Sequence, residues 1–126
     1  MRQTFKKEER LNAKKTIEAV FASGRSIASP PFRMLWAVQK QETAVPLQLG
    51  ISVPKRSFAK AVVRNRLKRR IREAYRKNKE NIYEVLKKKN LSVTVMMIYT
   101  AKEELAYTEI EKKMIVSLHK LAAALQ

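Results

Sequence analysis

The sequence predicts an α+β fold, a sheet with helices packed against it, and three observations carry that prediction. Over residues 47–53, Leu47, Leu49, Ile51 and Val53 alternate with Gln48, Gly50 and Ser52, the two-residue period of a half-buried strand. Val93–Tyr99 (VTVMMIY) is β-branched and apolar on both faces, as a central buried strand is. Val63, Leu67, Ile71 and Ala74, and later Tyr107, Ile110, Met114, Leu118, Leu121 and Leu125, recur at the steps of three and four that line one side of an α-helix.

Taken in order, residues 1–11 form a polar, basic arm anchored by Phe5 and Leu11, and a first helix spans about 13–22 with Asn12 as N-cap. Ile17, Val20 and Phe21 make its apolar stripe, and Gly24 ends it. Pro30–Pro31 forbids helix and opens a strand over Phe32–Val38, in which Phe32, Met34, Trp36 and Val38 share one face against Arg33, Leu35 and Ala37. Gln39–Ala44 connects it to the strand at 47–53. Gly50 in mid-strand has two open readings: the small residues around it floor a shallow cleft, or it marks a bulge or simple packing. Pro54 closes that strand, and Ser57 is placed to cap the helix that follows. Lys79–Asn90 continues that helix or forms a short second one. The element order is α-β-β-(β)-α-β-α, with all 126 residues in a single domain.

Charge narrows the function. The chain carries 28 basic and 11 acidic residues, a formal charge of +17. Twelve of those cations fall between Lys55 and Lys79 with one acid, Glu73. At about 100° per residue, Asn65, Lys68, Arg69, Arg72 and Arg76 lie opposite the apolar stripe, and Arg64, Arg66 and Arg70 lie on the flanks. Solvated helix faces usually mix signs, whereas a row of like charges calls for a polyanion and hence for binding that weakens steeply with salt. No apolar run approaches 18 residues, the N-terminal stretch has no signal-peptide hydrophobic region, and a soluble, cytoplasmic protein is expected. There is no cysteine, no aspartate and one histidine, His119, which reads as a surface residue. That inventory supplies neither converging carboxylates for a two-metal nuclease nor an acid–base pair, so no catalytic and no metal-ligating residue is assigned.

The run Gly50-Ile-Ser-Val-Pro-Lys-Arg, followed by Arg64-Asn-Arg-Leu-Lys-Arg-Arg-Ile-Arg-Glu, resembles the protein component of bacterial ribonuclease P, whose members carry a strand ending G-x-S-V-x-K-[KR] and a helix with R-N-R-x-K-R-x-x-R-E. The match is close from Leu49 to Arg76 and looser upstream, at Phe5, Arg10-Leu11, Val20-Phe21, Gly24 and Phe32. The family's loop K-K-x-G-N-A-V is one residue longer here, with Ala59-Lys60 in place of Gly-Asn, and its D-x-V-x-I-x-R strand keeps neither the acid nor the Arg over Ser92–Tyr99. The resemblance implies an α-β-β-β-α-β-α two-layer sandwich, ribosomal-protein-like, with a left-handed βαβ crossover. It implies that Arg64, Asn65, Arg66, Lys68, Arg69, Arg72 and Arg76 dock on a catalytic RNA. It implies a cleft formed by Phe21, Phe32, Ser52, Lys55 and Arg56 for the 5′ leader of precursor tRNA, with Mg2+ used by the RNA subunit and neither membrane nor DNA as partner. A ribosomal protein is the nearest rival on charge alone. A zipper-type DNA-binding helix would need a heptad repeat after Lys77, and a membrane-surface helix would need the apolar stripe that the core requires.

Overall fold

The structure, a computed structural model, describes residues 24–39 and 45–125. The N-terminal arm, the helix expected at 13–22 with Phe21, and most of the connection after Gln39 lie outside the described residues.

The chain runs β1 (Arg25–Ser29), β2 (Phe32–Gln39), β3 (Leu47–Ser52), α1 (Ala61–Asn78), α2 (Glu80–Lys89), β4 (Ser92–Tyr99) and α3 (Tyr107–Ala124). The four strands form one mixed sheet in the order β1-β2-β4-β3. β2 lies antiparallel to both β1 and β4, and β3 and β4 are parallel neighbours, so α1 and α2 form the crossover between them. β4 is central, which is why it can be apolar on both faces. β1 is the strand the residue pattern did not mark. Pro30–Pro31 does not open a strand after a helix but makes the two-residue turn of a hairpin, with Ser29 paired to Phe32 and the two prolines joined by a cis peptide bond.

Cross-strand pairing sorts the sheet into two faces. Phe32, Met34, Trp36, Leu47, Leu49, Val93, Val95, Met97 and Tyr99 lie on one, in a single core with Leu67, Ile71, Ala74 and Tyr75 of α1, Ile82, Tyr83 and Leu86 of α2, and Ile110, Met114, Leu118 and Leu121 of α3. Arg33, Leu35, Ala37, Gln48, Gly50, Ser52, Thr94, Met96 and Ile98 lie on the other. Val38 lies beyond the last β1–β2 pair, Arg25–Trp36, and is exposed.

Each helix end has a local cause. Ser57 does not cap α1: the helix begins four residues beyond, its N-cap is Lys60, and no side chain caps it. Ser57 instead sits in a turn, its N–H and that of Phe58 both donating to the carbonyl of Pro54 at 3.2 Å. Lys79 alone separates α1 from α2, so the extension after Lys79 is a short second helix. α2 ends at Asn90, whose φ of 54° and ψ of 46° are left-handed. Asparagine tolerates that conformation better than other residues with a Cβ, and it lets Leu91 N–H reach back to the Leu86 carbonyl at 2.9 Å. At the β1 edge, α3 is tied to the sheet by the buried hydroxyl pair Ser29–Ser117, 2.8 Å apart.

Candidate nucleic-acid interface

α1 is held by its buried stripe, Leu67, Ile71, Ala74 and Tyr75, all at most 0% exposed. Fixing that stripe fixes the rotation of the helix, and therefore the direction of every cation on it. Asn65, Arg69 and Arg72 face solvent and Lys68 is half-buried, and among the described residues none of the four has a protein partner. They span two turns of the helix, about 10 Å along its axis. The first turn of α1 contains no acid to supply counter-charge.

The other basic positions are engaged within the protein. The Arg64 guanidinium donates to the carbonyls of Phe58 and Ala59 at 2.8 and 2.9 Å, closing the loop onto the helix that it precedes. Arg70 donates to the Leu105 carbonyl at 2.8 Å. Arg66 makes a two-pronged contact with Glu104, Nε to Oε2 and Nη2 to Oε1, the latter at 2.8 Å. Arg70 approaches the same carboxylate at 3.2 Å. Arg76 pairs with Glu73 one turn back, Nε to Oε2 at 3.1 Å. The hydrogen bond from Arg66 holds the Glu104 carboxyl below its ordinary range, and the bond from Arg76 does the same for Glu73. Thus the seven residues expected to dock RNA separate into three kinds. Asn65, Lys68, Arg69 and Arg72 are open, Arg64 is turned onto backbone, and Arg66 and Arg76 are paired with acids.

The second expected site is less unified. Lys55 and Arg56 are exposed in the turn after β3, and Ser52 is half-buried on the sheet face that the core does not occupy. Phe32 is a correction: it is 1% exposed, on the opposite face, with its ring edge-on to Tyr99 at 6.1 Å, so it has no free face for a base. The alternation of β2 correctly grouped Phe32 with Met34 and Trp36, but which face the helices cover is a tertiary fact. On the outer side, Arg33, Arg56 and Lys102 line a groove of about 720 Å3 with Ser57, Ile98 and Thr100, and no acid lines it. Arg33 was legible as the one charge in an otherwise apolar strand. Lys102 was not, because nothing in its local sequence brings it to Arg56. Among the described residues no group of three or more His, Cys, Asp or Glu side chains stands together as a metal site, and no helix is long and apolar enough to cross a membrane.

A family model described as Ribonuclease P matches residues 5–122. The ribonuclease P protein component of Porphyromonas gingivalis is 33% identical over 116 residues, covering 92% of this chain and 85% of that protein. Its counterpart from a Geobacillus species is 31% identical over 119 residues, covering 94% and 95%. Among solved structures, the RNase P protein of Staphylococcus aureus superposes with a TM-score of 0.71 at 25% identity, covering 92% of this chain and 96% of the other. The RNase P protein of Thermotoga maritima gives 0.71 at 25% identity, covering 89% and 96%. The strand-to-helix motif, the α+β architecture and these matches agree: the chain belongs to the ribonuclease P protein family.

Proposed function

We propose that this chain acts in the cytoplasm as the protein subunit of a bacterial ribonuclease P, docking on the catalytic RNA through α1 and holding the single-stranded 5′ leader of precursor tRNA beside the sheet. The observation that carries this reading is the row Asn65, Lys68, Arg69 and Arg72, solvent-facing or half-buried on a helix fixed by its core stripe and without protein partners among the described residues. Arginine meets a phosphate with two parallel N–H groups and lysine as a point charge, so a rigid row of both suits the backbone of a folded RNA. The leader would cross the groove, with Arg33, Arg56 and Lys102 on its phosphates and Lys55 at the rim.

Hydrolysis of the leader is assigned to the RNA with Mg2+. The side chains described here do not fit a protein-held divalent ion, since no carboxylate or histidine group converges. The protein contributes phosphate neutralisation, which lets RNA strands approach at lower Mg2+. The test is cleavage of a precursor tRNA by a bacterial ribonuclease P RNA at low Mg2+, with and without this protein. Restoration of cleavage at the mature 5′ end is the expected result. Absence of any effect refutes the subunit reading, and cleavage by the protein without RNA refutes the assignment of chemistry to the RNA.

A further inference from the structure

The acid that meets the basic helix comes from a distant loop and is braced in place. Tyr99, fully buried, donates its hydroxyl to the Glu103 carbonyl at 2.6 Å and accepts the Leu105 N–H at 3.2 Å. Arg70 donates to the Leu105 carbonyl at 2.8 Å. The backbone on both sides of Glu104 is thereby pinned, one side to the core and the other to α1. Its carboxylate is delivered to Arg66 and Arg70, 38 residues away from Arg66 in sequence. An ordinary solvated ion pair, such as Glu73–Arg76 within one helix, has no such bracing.

A carboxylate in the fork of an arginine occupies the place where a phosphate would sit. We propose that Glu104 is a specificity-determining residue of the RNA interface, a built-in phosphate substitute that withholds Arg66 and screens Arg70 from RNA lacking the right shape. This rests on the RNA-docking role of α1 proposed above. Affinity for arbitrary RNA follows the number of open cations, so removing Arg66 from that number weakens unselective binding. A folded RNA seated on Lys68, Arg69 and Arg72 can present a neighbouring phosphate to Arg66 at high effective concentration, and there the exchange for Glu104 becomes intramolecular. A flexible strand brings no fixed phosphate to that spot and meets the carboxylate's repulsion.

The test compares wild type with Glu104→Gln, which keeps the side-chain shape and an accepting oxygen but removes the charge. Two probes are used across a salt series: single-stranded poly(A) and a bacterial ribonuclease P RNA. For poly(A), Glu104→Gln is expected to bind about fivefold tighter near ~0.15 M salt, with the slope of log K against log salt steeper by about 0.7 for one added phosphate contact. The gain on the folded RNA is expected to be under about twofold, so discrimination falls. In an Arg66→Ala background, most of the poly(A) gain should vanish. Thermal midpoints of all variants separate this from loosening of the loop, which would shift stability without changing the salt slope. Equal discrimination by wild type and Glu104→Gln overturns the inference, as does weaker binding of the folded RNA, which would make Glu104 a positioning residue for Arg66. If wild type itself does not prefer the folded RNA, the docking role of α1 fails, and the inference fails with it.

Discussion

Replacing Arg69 and Arg72 together by alanine should separate binding from folding. Both side chains face solvent and neither has a hydrogen bond or ion pair with another described residue, so no such bond is lost. Alanine is the best helix former, and two like charges leave a crowded face, so stability should stay within about 0.5 kcal/mol of wild type. RNA binding should respond quite differently. Each phosphate contact contributes about 0.7 to 0.9 to the slope of log K against log salt, so losing two lowers the slope by about 1.4 to 1.8. Between ~0.05 and ~0.2 M salt, the penalty of the double substitution should therefore shrink by about tenfold. Anisotropy titrations of labelled catalytic RNA over that salt range read the slope, and urea unfolding reads the stability. Arg64→Ala provides the contrast, because it deprives the Phe58 and Ala59 carbonyls of their donor and should lower stability by about 1 kcal/mol or more. An unchanged slope in the double variant, or a stability loss matching that of Arg64→Ala, would refute the division between open and engaged cations.

Two further perturbations probe the loop that carries Glu104. Tyr99→Phe keeps the ring against Phe32 and Phe58 but leaves the Glu103 carbonyl and the Leu105 N–H without their partner, which should cost about 1 to 3 kcal/mol in urea unfolding; an unchanged midpoint would show that the hydroxyl does not brace the loop. The second concerns acid. Glu73 and Glu104 both have carboxyl pKa values lowered in the folded protein, so on acidification the unfolded chain takes up protons first. Their stabilising contribution is complete above the ordinary value near 4.5 and is lost as pH falls through the lowered folded values. Glu104→Gln should flatten that acid limb in thermal melts taken between about pH 6 and pH 2, and an unaltered pH profile would contradict the pairing with Arg66.

What could be read from the sequence follows from how local each cause is. The helical stripe Leu67-Ile71-Ala74 and the two-sided apolarity of β4 are local patterns, and both elements stand where expected. β1 escaped because RSIAS is short, half exposed and at the sheet edge, so it lacks the apolar alternation that marks a buried strand. The resemblance implies a cleft position for Phe32, and alternation offers no check on it, because it groups residues by face without saying which face the helices cover. The same limit applies to charge. A count of cations between Lys55 and Lys79 cannot distinguish Arg69, open to solvent, from Arg70, held by a carbonyl 35 residues away. Glu104 could not be connected to the basic helix at all, since only the folded loop brings it there.

That partition bears on how such a helix would capture RNA. Arg64 donates to neutral carbonyls, so its charge remains and still adds to the field around α1, while Arg70, also bonded to a carbonyl, shares the single Glu104 charge with Arg66. Arg66 and Arg76 face carboxylates, and their charges are largely cancelled at a distance. Long-range attraction therefore draws on more cations than the final contacts use, and it sets the encounter rate. On the proposed reading, close contact would fall to Lys68, Arg69 and Arg72, which stand on the helix fixed by its buried stripe, between Arg64 and Arg70 on the flanks. A cation turned inward onto a carbonyl thus keeps its charge in the field while it also holds its neighbours in register. A helix in which all eight of its cations pointed outward would attract RNA as strongly from afar, but it would present no fixed pattern for one RNA to match.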